Sequence, residues 1–372
     1  MKEWKTINSK FIFTGQTKKV QGEEDMLKEK NRKNNLKQML CAILFLLIAV
    51  TQVADPAFVQ AQEALPSISD NNNASGSEET QRQGWYSGKY TYYYDENGCP
   101  VTGSKIIEGV KYRFNKKGRL VGSGPVFSLN SKCAILVEAD TGKVIYSKNP
   151  DLRHANASTT KIMTAILAVE NSKMSEIVKT SRYAASQEPT KLYFKKGERF
   201  YMRDMLYSLL LPSHNDTAVA IAEHIGGNVQ SFVNMMNEKA LSLGCNNTHF
   251  ATPNGLDAGL DHYTTARDMA KIASYAWQSS QIRRVVKTRT RIIKNLKGKR
   301  YKLISTNRLL NERMAGVSGM KTGYTNKAGQ CFVGVVKGLN GKTYISVTFG
   351  ARTTDGRWAD ARKLLSYARN LK

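Results

Sequence analysis

Past residue 125 the apolar positions fall into two rhythms. Ala134–Ala139 and Lys143–Ser147 read as strands on either side of Asp140-Thr141-Gly142, a hairpin turn. Helical spacing follows in Ile162, Ala165, Ile166 and Val169, then in Met202, Met205, Leu206, Leu209 and Leu210. A third run holds Val229, Phe232, Val233, Met236, Ala240 and Leu243, with Gly244 as a C-terminal stop. Strand character returns at Gln330–Val336 and Tyr344–Phe349 around Gly338-Leu339-Asn340-Gly341. Arg357–Leu371 closes as a helix whose apolar set, Trp358, Ala361, Leu364, Leu365 and Ala368, suits it to cover a sheet. A helical middle between strand-rich ends predicts one α+β domain over 125–372.

Ahead of it the pattern changes. Tyr92-Tyr93-Tyr94-Asp95-Glu96-Asn97-Gly98 is echoed 20 residues later by Tyr112-Arg113-Phe114-Asn115-Lys116-Lys117-Gly118. A strand ending in an Asx-Gly turn, repeated, is a hairpin unit that buries little alone. With Gly84-Trp85-Tyr86 in front, residues 84–124 resemble the choline- or glucan-binding type of cell-wall-binding repeat, in about two copies. That resemblance makes Trp85, Tyr92, Tyr94, Tyr112 and Phe114 candidate ligand contacts, because such rings form cages for sugars or quaternary amines. The same rings also suffice as the small core of the hairpins. Residues 62–83, polar and small, read as a flexible linker.

Near the N-terminus, Met39–Val50 is a 12-residue apolar run, short for a bilayer span. Lys28, Lys30, Arg32, Lys33 and Lys37 precede it, and Val59-Gln60-Ala61 offers small residues at a cleavage site. Residues 1–61 therefore read as a leader cut after Ala61, with Met26 as the expected true start. An uncleaved anchor is the alternative.

Composition narrows the partners. An apolar share of 41% supports a packed core and excludes collagenous or wholly disordered chains. Lys+Arg 56 against Asp+Glu 30 gives +26; removing the leader's 10 basic and 6 acidic side chains leaves +22. That charge suits anionic cell-wall polymers or an anionic membrane, and export argues against nucleic acid. Cys99, Cys133, Cys245 and Cys331 form no C-x-x-C pair, so no zinc site is expected. They read as separate buried residues or a disulfide.

Candidate chemistry lies in Ser158-Thr159-Thr160-Lys161, which puts a hydroxyl at a helix start and an ammonium one turn later on the same face. S-x-x-K alone is weak, since Ser318-Gly319-Met320-Lys321 also fits. The order is more specific: Ser213-His214-Asn215 comes 55 residues after Ser158, and Lys321-Thr322-Gly323 another 108 later.

Three motifs in this order resemble the active-site-serine penicillin-binding and β-lactamase superfamily. Flanking stretches such as Leu211-Pro212-Ser213-His214-Asn215-Asp216 and Gly319-Met320-Lys321-Thr322-Gly323-Tyr324-Thr325 are similar to low-molecular-mass D-alanyl-D-alanine carboxypeptidases. The resemblance implies the penicillin-binding-protein transpeptidase fold, an antiparallel sheet with a helical subdomain. It implies peptidoglycan stem peptides as substrate, β-lactams as inhibitors, and no metal or organic cofactor. Ser158 would be the nucleophile and Lys161 its base, Ser213 a proton relay, and Asn215 a hold on Lys161 and the substrate backbone. Lys321 and Thr322 would grip the terminal carboxylate, Gly323 would allow close approach, and the N–H groups of Ser158 and Tyr324 would form the oxyanion hole.

Two positions depart from the family pattern. His214 replaces a small residue, where a bulky ring is expected to narrow the cleft, and Ser318 replaces a common Asp. No E-x-x-L-N pattern lies between Asn215 and Lys321, so a class A β-lactamase is disfavoured. A D,D-endopeptidase would use the same residues, and a non-catalytic wall-binding protein would be expected to have lost one. His154, His224, His249 and His262 read as packing or surface residues.

Overall fold

The computed structural model describes residues 82–371, except Lys89, Glu108, Gly109, Val126, Ala258 and Leu260. The expected leader, its cleavage after Ala61 and nearly all of the linker lie outside the described residues. No helix among the described residues is long and apolar enough to cross a membrane.

In chain order the strands begin with β1 (Gly84–Ser87), β2 (Thr91–Tyr94), β3 (Gly103–Ile107), β4 (Val110–Phe114), β5 (Leu120–Ser123), β6 (Cys133–Glu138) and β7 (Val144–Lys148). A 3-10 turn, Ala157–Thr160, leads into α1 (Lys161–Asn171). The helical middle continues with β8 (Ile177–Lys179), α2 (Arg182–Ala185), β9 (Arg199–Tyr201), α3 (Met202–Leu210), α4 (Asn215–Gly226), α5 (Val229–Ser242), α6 (Ala266–Gln278) and α7 (Ser280–Val286). Then come β10 (Thr290–Lys294), β11 (Arg300–Ile304), α8 (Arg308–Asn311), β12 (Val317–Thr325), β13 (Gly329–Lys337), β14 (Thr343–Ala351) and α9 (Thr354–Arg369). The fold is α+β, as the pattern predicts.

One antiparallel sheet carries the molecule, in the order β12-β13-β14-β6-β7-β5-β4-β3. Its central strands are apolar on both faces because both are covered. Cys133, Ile135 and Val137 of β6 face the core built by the helical middle, while Ala134 and Leu136 join Trp358, Ala361, Leu364, Leu365 and Ala368 of α9. The α9 stripe is thus buried against the sheet. Asp360 on the same helix accepts hydrogen bonds from the backbone N–H and side chain of both Asn130 and Ser131, pinning α9 to the entry of β6.

The N-terminal echo is structural. Asp95 and Asn115 close matching turns: each side-chain Oδ1 accepts from the N–H groups two and four residues on. The strands do not stand apart from the rest, because β5 pairs with β7 and so extends the sheet. Arg113 fixes this junction by donating to the carbonyls of Gly124 and Ser147, the latter at 2.6 Å.

Candidate active site

The turn that carries Ser158 is held from behind. Ala157 takes a left-handed φ of 47°, and the Thr160 hydroxyl contacts the Ala157 carbonyl, Asn156 Nδ2 and His262 Nε2, each at 2.8 Å. Burial drives the His262 imidazole down to about 4, so it stays neutral beneath the turn. Ser158 therefore projects from a braced 3-10 turn, and Lys161 opens α1 one turn later.

Lys161 Nζ lies 2.8 Å from Ser158 Oγ, 2.7 Å from Asn215 Oδ1 and 2.7 Å from the backbone carbonyl of Asn254. Two of those partners can only accept. A neutral amine has two hydrogens and one lone pair, so both hydrogens go to the carbonyl oxygens and the lone pair faces the Ser158 hydroxyl. Lys161 is fully buried; burial first, then the nearby Lys321 cation, hold it well below the ordinary lysine range, against the pull of Asp216. The arrangement puts a buried amine within hydrogen-bond reach of a serine hydroxyl.

Asn215 is oriented by the chain around it. Its Nδ2 donates to the carbonyls of Glu188 and Pro189, at 3.0 and 3.1 Å, which leaves Oδ1 for Lys161. The hold on Lys161 is thus present, while the amide hydrogens are taken by protein carbonyls rather than offered to a substrate backbone. Ser213 sits beside it with φ 71°. Among the described residues its hydroxyl makes no hydrogen bond, so the relay role has no preformed partner.

The ring of His214 does not enter the cleft as its size suggested. It is buried and turned inward, with Nδ1 2.8 Å from Ser208 Oγ, which in turn meets Thr217 Oγ1 at 2.7 Å. Burial first, then the positive charge that Lys161 and Lys321 carry when protonated, lower its pKa to about 3.

β12 is the outer strand of the sheet, so one row of its backbone groups is unpaired by any strand. Gly323 lets it press against the nucleophile turn: a Cβ there would stand 3.0 Å from the Asn156 carbonyl and 3.1 Å from the Ser158 nitrogen. Ser158 and Tyr324, whose N–H groups are the expected oxyanion donors, flank this contact. Lys321 is buried, donates to the Thr322 carbonyl at 3.0 Å, and is lowered to about 7, by burial and then by Arg357. Thr322 Oγ1 lies 2.6 Å from Thr306 Oγ1. Tyr324 is 57% exposed and its hydroxyl contacts Asn326.

Sequence reasoning missed Asn254, Thr306 and Arg357, while His262 is buried as a packing residue, as expected. Asn254 acts through a carbonyl, which any residue has, so no side-chain pattern marks it. The hairpin aromatics divide into two groups. Trp85, Tyr112 and Phe114 pack on one another with Tyr93, whereas Tyr92 and Tyr94 share the opposite face with Tyr86 and Arg82. Cys99, Cys133, Cys245 and Cys331 are all unpaired thiols, and all but Cys99 are buried.

A braced serine, a buried lysine within hydrogen-bond reach and a lysine-threonine-glycine edge strand sit together on a fold of the penicillin-binding type. Residues 121–353 match the D-alanyl-D-alanine carboxypeptidase family, peptidase S11, and the chain belongs to that family. It is 40% identical over 243 residues to the D-alanyl-D-alanine carboxypeptidase DacF of Bacillus subtilis, covering 64% of this chain and 62% of the relative. It is 32% identical over 209 residues to a D-alanyl-D-alanine endopeptidase of Pseudomonas aeruginosa, covering 55% and 66%. The Streptomyces K15 DD-transpeptidase crystal structure superposes with a TM-score of 0.62 at 31% identity, over 66% of this chain and all of that one. The chain spans 62% of the length of both the Bacillus relative and a Haemophilus influenzae DacA.

Proposed function

We propose that this protein is a serine D,D-carboxypeptidase that removes the terminal D-alanine from peptidoglycan stem pentapeptides. The observation that carries this reading is the buried Lys161 Nζ 2.8 Å from Ser158 Oγ. Lys161 takes the hydroxyl proton as Oγ attacks the carbonyl carbon between the two D-alanines. Oxyanion charge develops toward the N–H groups of Ser158 and Tyr324. The protonated lysine returns its proton to the leaving amine, with the Ser213 hydroxyl as relay, and D-alanine departs. Water then adds to the ester, Lys161 again accepts a proton, and Ser158 is regenerated. Lys321, Thr322 and Thr306 bind the substrate's free carboxylate.

Supporting partners follow from the same reading. β-Lactams acylate Ser158 and are released slowly. The protein works outside the cytoplasm after export, cleaved after Ala61, among anionic wall polymers that the remaining +22 charge suits. Wall binding by the hairpins would rest on Tyr86, Tyr92 and Tyr94 rather than on the inward rings.

The test is D-alanine release from a pentapeptide ending in two D-alanines, compared with a cross-linked dimer. Release from the pentapeptide that vanishes in Ser158→Ala supports the assignment; cleavage of the dimer alone makes the protein an endopeptidase. Pull-down on purified walls with Tyr92→Ala/Tyr94→Ala tests the hairpins.

A further inference from the structure

The hairpin β10–β11 carries a face that none of the described residues covers. Between Asp268 and Glu312 the chain holds 12 Lys or Arg and no Asp or Glu. The inner face is anchored: Ile293 and Leu303 are buried, and Glu198 accepts from Tyr301 Oη at 2.6 Å and Asn295 Nδ2 at 2.7 Å. Leu296 N–H donates to the Arg199 carbonyl, tying down the turn. The hairpin is therefore held in one pose and its other face is presented outward.

That outer face has three cross-strand rungs, Thr290 with Ile304, Ile292 with Lys302, and Lys294 with Arg300. Ile292 is 47% exposed and Ile304 51%. Lys294, Arg300 and Lys302 are exposed and form no ion pair among the described residues. One exposed isoleucine is ordinary; two in adjoining rungs, bordered by unpaired cations, form an amphiphilic surface.

We propose that the outer face of β10–β11 docks on an anionic phospholipid surface. Lys294, Arg300 and Lys302 meet the headgroups, and Ile292 and Ile304 enter the interface. A soluble polyanion satisfies the cations and leaves the isoleucines in water, which is why a bilayer fits better. Thr306, on the substrate-binding strand's flank, lies two residues past Ile304. Docking would hold the Ser158 cleft close to the bilayer.

The test is lysine-acylation footprinting of the full chain, read residue by residue by mass spectrometry. With phosphatidylglycerol-containing vesicles, Lys294 and Lys302 should label about tenfold more slowly than with phosphatidylcholine alone. The protection should weaken as salt rises, and Ile292→Ser/Ile304→Ser should lose most of it. Three results overturn the proposal. The first is unchanged labelling at Lys294 and Lys302 while the chain pellets with vesicles, which places attachment elsewhere. The second is equal slowing by a soluble glycerol-phosphate polymer, and the third is full protection retained in the double serine variant.

Discussion

His214 Nδ1 lies 2.8 Å from Ser208 Oγ, so the imidazole that interrupts the Ser213–Asn215 motif belongs to the core and not to the cleft. It braces the loop that carries Ser213 and Asn215. His214→Ala should cost about 1–3 kcal/mol of stability, from a lost hydrogen bond and a cavity. Its effect on activity should appear as a lower acylation rate with no new tolerance for bulky substrates, because no cleft volume is gained. Urea unfolding alongside a substrate panel measures both.

The same residue sets an acid-side stability loss. An unfolded histidine takes up a proton near 6.5, whereas the folded ring resists until about 3. Between those values the unfolded state binds more protons, so stability falls as pH falls through that window. His214→Asn should flatten this slope, which unfolding at a series of pH values will show.

Thr306 is exposed, yet its hydroxyl is 2.6 Å from Thr322 Oγ1. Thr306→Val should raise KM for a D-Ala-D-Ala pentapeptide by about tenfold through loss of a charge-assisted contact, with kcat and melting temperature little changed. An equal fall in kcat would place Thr306 elsewhere in the reaction.

Asp360 receives four hydrogen bonds from Asn130 and Ser131 inside the sheet–helix interface. Asp360→Ala should cost about 3–5 kcal/mol, since it leaves buried donors unpaired. The loss should be global, read as a lower urea midpoint, while any folded fraction still acylates at Ser158.

The pairing of Ser158 with Lys161 was legible because they are one turn apart, and the edge strand because Lys321-Thr322-Gly323 is contiguous. The sheet core was legible where apolar residues alternate or run together, as in Cys133–Glu138. Hairpin β10–β11 escaped notice because its outward Lys and Arg outnumber the two inward anchors, Ile293 and Leu303. Asn254, Thr306 and Arg357 reach the site from separate loops and a distant helix, so only the folded chain assembles them. His214 misled because residue size predicts bulk but not direction.

Lys321 should make the activity fall on the alkaline side. It is lowered to about 7 in the free protein, so above that pH it loses the charge that grips a carboxylate. KM for the pentapeptide should rise there, less steeply once substrate is bound, because the carboxylate favours the charged lysine. A peptide amide lacking the terminal carboxylate should show no such rise.

The most direct measurement is the rate of Ser158 acylation by a penicillin as a function of pH, for the wild type and Lys161→Met. A buried, neutral Lys161 predicts an acid limb well below the ordinary lysine pKa. In Lys161→Met the rate should fall by about 100-fold or more at every pH. A wild-type rate still climbing through pH 10, or a methionine variant that acylates normally, would contradict the assignment of Lys161 as the base.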